Sequence, residues 1–230
     1  MRWVPDRTGR FRWRPWYSKD DIDQLCENRM GGFLRERHGL VAYPVSTDDL
    51  TRFIERETDD LDLYADLTGL GQAGVEVEGV TTFVRGHRPR VQIARSLSLT
   101  PGREPRLRTT LAHELGHVLL HNFVVTREDE LMPDDVDDGP PACVDPGPLA
   151  RPGVDWMEWQ AGYACGALLM PTTELHAVVQ PVLERYGTSL PMGRSGFSPL
   201  IDRVQGHFLV SAAAAHMRLR RLGYVASFLL

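Results

Sequence analysis

Cysteine is scarce in this chain. Cys26, Cys143 and Cys165 are the only three in 230 residues, widely separated and in no CxxC pair. That spacing argues against a disulfide framework and for a reducing compartment. Long apolar runs are missing too: no stretch approaches the roughly 20 residues that a membrane span needs. The first residues alternate Arg, Trp and Pro where a secretory signal would be apolar. The expected location is the cytoplasm, with no membrane partner. Nor is positive charge in excess, since 26 Lys and Arg face 31 Asp and Glu for a net charge of −5. Nothing global draws such a chain to nucleic acid.

With 42% hydrophobic and 25% charged residues, the chain has the balance of a globular protein with a sizeable core. Its charge is clustered. Arg2, Arg7, Arg10, Arg12, Arg14 and Lys19 make the N-terminus basic, and Glu128, Asp129, Glu130, Asp134, Asp135, Asp137 and Asp138 make a mid-chain segment acidic. Runs of this kind are usually solvated. Trp3, Trp13, Trp16, Pro5 and Pro15 among the arginines suggest an extended arm over residues 1–19, packed onto a domain covering 20–195. Residues 196–230 read as a C-terminal helical segment packed on that domain.

Periodicity places the elements. Ser18 or Asp20 caps a helix reaching Arg37, stopped by Gly39. Ser46, Thr47, Asp48 and Asp49 open a second, from Leu50 to Glu57. The period then shortens: residues 75–84 and 91–93 read as two strands of an antiparallel hairpin, turned at Gly86, His87, Arg88 and Pro89. A helix follows over residues 108–121, then an acidic, proline-rich irregular loop over 122–155. Helices from Trp156, from Thr172 or Thr173, and from Ser211 complete the chain.

The central helix carries the chemistry. His113-Glu114-Leu115-Gly116-His117 is an HExxH motif. Four residues along a helix turn through about 400°, so His113 and His117 project from one face. Two neutral imidazoles there can hold Zn²⁺ at about 2.0–2.1 Å. Glu114, about 100° around the helix, is placed to take a proton from a water on the metal and pass it to a leaving amine. Leu111, Leu115, Val118 and Leu119 form the stripe that buries the helix. Gly116 costs about 1 kcal/mol relative to Ala, a cost understandable if something packs closely against it.

A catalytic zinc normally has three protein ligands and one open position. Candidates for the third are His121, His207, His216, Glu158 and Glu174. His121 lies about 6 Å further along the axis than His117, which overshoots a tetrahedral site. The metzincin spacing fails, because Phe123 stands where it needs a histidine. Glu158 fits better: it opens a helix of small residues (Ala161, Gly162, Ala164, Cys165, Gly166, Ala167) suited to close packing on another helix.

Residues 106–121 (RLRTTLAHELGHVLLH) and 158–171 (EWQAGYACGALLMP) together resemble the ImmA/IrrE family of bacterial and phage metallopeptidases. That family pairs a helical HExxH with a later E-x-x-A-N-x-F-A-x-x-L-L-M-P-like helix. Val210-Ser211, Arg218-Leu219 and Leu222-Gly223 look like its C-terminal "VS…RL..LG" ending. Gly162 and Ala164 depart from the family's Asn and Phe, and the 122–155 insertion is longer than the family's. The resemblance implies an α+β, mostly helical, zincin-like domain with a small antiparallel β-sheet beside the HExxH helix, and Glu158 as third zinc ligand. It implies an intracellular zinc endopeptidase acting on a protein such as a helix-turn-helix repressor encoded nearby, in stress response or mobile-element transfer. The strand holding Val91-Gln92-Ile93 would be the edge that pairs with an extended substrate.

An oxyanion donor beside the zinc would come from His121, Tyr163 or His207. Cys143 could reach the open zinc position as a thiolate and hold the enzyme latent. The rival readings are a DNA-binding regulator using Arg218, Arg220 and Arg221, and a zinc sensor or toxin-system component without proteolysis.

Overall fold

The structure, a computed structural model, describes residues 1–71, 76–128, 142–145, 155–187 and 196–225, with backbone alone at 125–128 and 142–145. It is α+β, mostly helical with small sheets, as expected. The chain divides into two compact units, Met1–Leu25 with Ser46–Cys165, and Cys26–Val45 with Gly166–Leu230.

In the first unit the basic arm is a hairpin. Strands β1 (Arg2–Pro5) and β2 (Trp13–Trp16) pair antiparallel, with Trp3 opposite Pro15. Asp6 closes the turn by accepting from the Thr8 and Phe11 amides. Phe11 is buried with Phe83, Val124, Trp156 and Met157, and Trp3 packs on that cluster. Trp13 and Trp16 stay exposed, at 39% and 38%, so Trp3 is the arm tryptophan that packs on the core.

Helix α1 (Lys19–His38) begins where Ser18 Oγ accepts from the Asp21 amide, and Asp21 accepts from Ser18 in return. Gly39, at a φ of 77° that disfavours any side chain, ends it. A second capping box, Ser46 with Asp49, starts α2 (Thr47–Glu57), which buries Leu50, Phe53 and Ile54.

The main sheet holds β3 (Asp60–Ala65), β4 (Gly79–Thr82), β5 (Arg90–Ala94) and β6 (Ala142–Asp145) in the order β3-β5-β4-β6. The expected β4–β5 hairpin is present and antiparallel. β6 adds antiparallel to β4, while β3, which the sequence reading missed, runs parallel to β5. One expectation fails here. β5 holds Val91, Gln92 and Ile93 but is hydrogen-bonded on both sides, so it is not an edge open to an extended substrate.

After the short α3 (Arg95–Leu99) comes α4 (Glu104–Glu128), longer at both ends than the expected 108–121. Residues 122–128 and 142–145, expected as irregular loop, are helix and strand. The acidic residues Asp129, Glu130, Asp134, Asp135, Asp137 and Asp138 lie outside the described residues, and Cys143 is described only as a backbone position opposite Thr81.

Helix α5 (Trp156–Leu169) stops at Met170, because Pro171 has no amide hydrogen to continue it. The second unit continues with α6 (Thr172–Tyr186), α7 (Phe197–Phe208) and α8 (Ala212–Arg221), the last capped by Ser211. No helix among the described residues is long and apolar enough to cross a membrane. Arg218, a candidate phosphate contact in the sequence, is 2% exposed. Its guanidinium donates to the Met170 carbonyl at 3.0 Å and to Thr172 Oγ1 at 3.2 Å, bracing the α5–α6 break. Arg218→Met keeps the bulk and removes the donors. We predict a loss of about 2–3 kcal/mol, the scale of charge-assisted hydrogen bonds, in denaturant unfolding; an unchanged midpoint would show that these bonds add nothing net.

Candidate metal centre

Every fourth residue of α4 shares a face, and two such rows build the site. Arg106, Thr110 and Glu114 face the sheet. Glu78, just before β4 and 5% exposed, accepts from Arg106 Nε at 2.6 Å, from Arg103 at 3.1 Å and from Thr110 Oγ1 at 3.2 Å. This clasp fixes the start of β4 against the helix. Gly79 and Thr81 alternate by two, so they share the strand face that meets Glu114. Thr81 Oγ1 donates to Glu114 Oε2 at 2.5 Å. A Cβ on Gly79 would come within 2.9 Å of Glu114 Cδ, so the bare glycine is what lets the carboxylate lie there.

His113, His117 and His121 form the second row. His113 Nε2 and His117 Nε2 are 3.1 Å apart. Glu158, from the first turn of α5, places Oε2 3.2 Å from His113 Nε2 and Oε1 3.3 Å from His117 Nε2. A tetrahedral shell with ligand bonds of about 2.0–2.1 Å spaces its donors roughly 3.3 Å apart. The three side chains therefore match a first coordination shell, and the group is fit to hold a metal ion. The side chains of His113 and His117 are 7% and 0% exposed but that of Glu158 is 26% exposed, so solvent reaches the group past the carboxylate.

Electrostatics agree. Burial acts to raise the Glu158 carboxyl, but hydrogen bonds with His113 and then His117 outweigh it and hold the group well below the usual carboxylate range. It is an anion facing two imidazoles. His121 is pushed well below the ordinary histidine value, first by burial and next by His117, and so is neutral.

Glu158 reaches the histidines because α5 lies tight on α4. A Cβ at Gly116 would sit 3.1 Å from the Ala161 carbonyl oxygen and 3.1 Å from Ala164 Cβ. That is the close packing the glycine implied.

The remaining candidates fall elsewhere. His121 stands behind the ligands, its Nδ1 3.0 Å from His117 Nδ1 and its Nε2 3.0 Å from Gln160 Oε1. Tyr163 donates its hydroxyl to Asp23 Oδ2 at 2.8 Å. In the second unit, His207 pairs with Glu174 at 2.8 Å, and His216 packs its ring edge against Phe197. Sequence reasoning missed Thr81, Gly79 and Gln160. A glycine and a threonine two apart on the strand before HExxH were the available signal for the first two. Gln160 offered only its polarity, two positions after Glu158.

One divalent ion per chain is the expected stoichiometry, read by elemental analysis. His113→Ala or His117→Ala should abolish binding, and Glu158→Ala should weaken it. Gly116→Val, which wedges α5 from α4 without touching a ligand, should raise the metal Kd about tenfold or more, in the range of changes to supporting residues. Stoichiometric metal in the His113→Ala/His117→Ala double variant would sink the assignment.

Neither models of known protein families nor curated protein sequences give a match to this chain, so the chemistry of the centre has to be read from its donors and their spacing.

Proposed function

We propose that the chain is a zinc-dependent peptidase whose ligands are His113, His117 and Glu158 and whose general base is Glu114. The observation that carries this reading is the convergence of two imidazole nitrogens and a carboxylate at 3.1–3.3 Å on the helix that holds Glu114. Two nitrogens and one oxygen at tetrahedral spacing, with a side open to solvent, suit zinc with a vacant fourth position. When bound, zinc would supply a lowered water pKa and polarisation of the scissile carbonyl. Glu114 would take a proton from the attacking water and deliver it to the departing amine. Thr81 would hold one carboxylate oxygen while the other does this work, and Gly79 would keep the strand backbone out of the way.

The resemblance to the ImmA/IrrE metallopeptidases supports the same reading and suggests the substrate, a helix-turn-helix repressor encoded nearby. The DNA-binding alternative loses one of its arginines, because Arg218 is buried.

The test is incubation of the zinc-loaded protein with that repressor, followed by mass spectrometry of the products. A chelator should stop cleavage and added zinc restore it. Glu114→Gln should keep zinc and lower the rate by about 10²–10⁴, the usual contribution of a general base. Gly79→Ala should also keep zinc yet slow cleavage, because its methyl displaces the Glu114 carboxylate. Undiminished cleavage by Glu114→Gln would refute the mechanism, and a zinc-loaded protein inert to every peptide offered would favour the sensor reading.

A further inference from the structure

Behind the ligands runs a line of buried hydrogen bonds whose polarity can be read from both ends. At one end is the Pro15 carbonyl in β2, which can only accept. Gln160 Nε2 donates to it at 3.0 Å. The amide is thereby oriented, and its Oε1 faces His121 Nε2 at 3.0 Å. A carbonyl oxygen cannot donate, so His121 must carry its proton on Nε2. A neutral imidazole with Nε2–H has a bare Nδ1, and that atom meets His117 Nδ1 at 3.0 Å. His117 must then donate from Nδ1, which leaves its Nε2 lone pair pointing at His113 Nε2 and Glu158.

The line read from the metal end gives the same answer. A histidine that binds through Nε2 carries its proton on Nδ1, needs an acceptor there, and so forces His121 to be bare at Nδ1 and protonated at Nε2. The two readings agree at every link. His121, Gln160 and His117 are each at most 2% exposed, so water is not available to replace a link. His121 is also held as a ring, edge-on to Trp156 at 5.4 Å between centroids.

We propose that Gln160 is a positioning residue for the metal centre: acting through His121, and anchored by the Pro15 carbonyl, it sets the tautomer and ring orientation of His117. The N-terminal hairpin is thus wired to the zinc site through a backbone carbonyl. The proposal rests on the metal reading above. Acceptors behind a ligating histidine typically carry 10–100-fold in metal affinity, and here the acceptor is itself a histidine that a third residue must orient.

The experiment combines zinc competition titration with long-range ¹H–¹⁵N correlation spectra of histidine-labelled protein. In the wild type, His121 should show its proton on Nε2 and His117 on Nδ1. Gln160→Leu should raise the zinc Kd about tenfold and leave His121 with mixed tautomers. Gln160→Glu retains an acceptor, so it should restore the Nε2–H form of His121 and bring the Kd back toward wild type, which a merely space-filling role would not do. His121→Phe keeps the ring packing and should also weaken zinc. The His121→Phe/Gln160→Leu double variant should be no weaker than His121→Phe alone, because Gln160 acts only through His121. A wild-type His121 protonated on Nδ1 would overturn the proposal even if no variant folded, and so would independent, multiplying effects in the double variant. Failure of the wild type to bind zinc at all would instead remove the metal centre, while the His121 tautomer could still be read in the metal-free protein.

Discussion

Gly116 has no side chain, and the Ala161 carbonyl and Ala164 methyl occupy the space beside it. Helix axes can approach this closely only where small residues meet, and interiors packed as densely as crystals transmit a displaced helix to everything attached to it. What is attached is the proposed third ligand. Glu158 sits one turn before Ala161 on the same helix, so the separation of α4 and α5 sets the distance from its carboxylate to the two imidazoles. The helix penalty of a mid-helix glycine is small beside the cost of moving a ligand out of a shell whose donors are 3.1–3.3 Å apart.

The same helix must also face the sheet, and there the constraint is polar. Glu78 is nearly buried, and a carboxylate in that position costs several kcal/mol unless it is paired. Arg103, Arg106 and Thr110 supply the partners from α4 and the residue just before it. Because the clasp lies directly before β4, it fixes the strand's register against the helix, and register decides which strand residues look at Glu114. A slip of one residue would replace Gly79 and Thr81 by Val80 and Thr82, putting a branched side chain where the carboxylate lies.

How much of this was legible in the sequence follows from the range of each interaction. Local signals were read correctly: the helix start at Ser46 to Asp49, the Gly39 stop, the β4–β5 hairpin and the HExxH spacing all depend on residues within a few positions. The packing meaning of Gly116 was legible too, since a helix-breaking residue inside a strong helix asks for a reason. The parallel strand β3 was not, although Leu61, Leu63 and Ala65 alternate with Asp60, Asp62 and Tyr64. Its partner β5 is 30 positions further on in the register, and parallel pairing leaves no hairpin signature between the strands. β6 was hidden in a proline-rich segment whose composition argues for loop. That long-range pairing also undid the edge-strand expectation, because β5 lies between β3 and β4 rather than at the border of the sheet. Gln160 could not be found for a similar reason: its partners, Pro15 and His121, are 145 and 39 positions away.

Two carboxylates end up close together in chemistry but apart in surroundings, and the difference suits two roles. Glu158 faces two imidazole nitrogens and is partly open to water, the setting that the proposed role of anionic metal ligand asks for. Glu114 is fully buried and is held by a hydroxyl donor and a strand face stripped of its side chain. A ligand must stay in place while a base must exchange a proton; the proposed ligand faces two histidines, and the proposed base accepts from Thr81 at one of its oxygens. Helix α4 separates its two histidines from Glu114 by geometry alone: residues four apart share a face and residues one apart do not. A single turn of helix thus supplies the two proposed histidine ligands and the proposed base on different sides, and packing by α5 and β4 gives each its own environment.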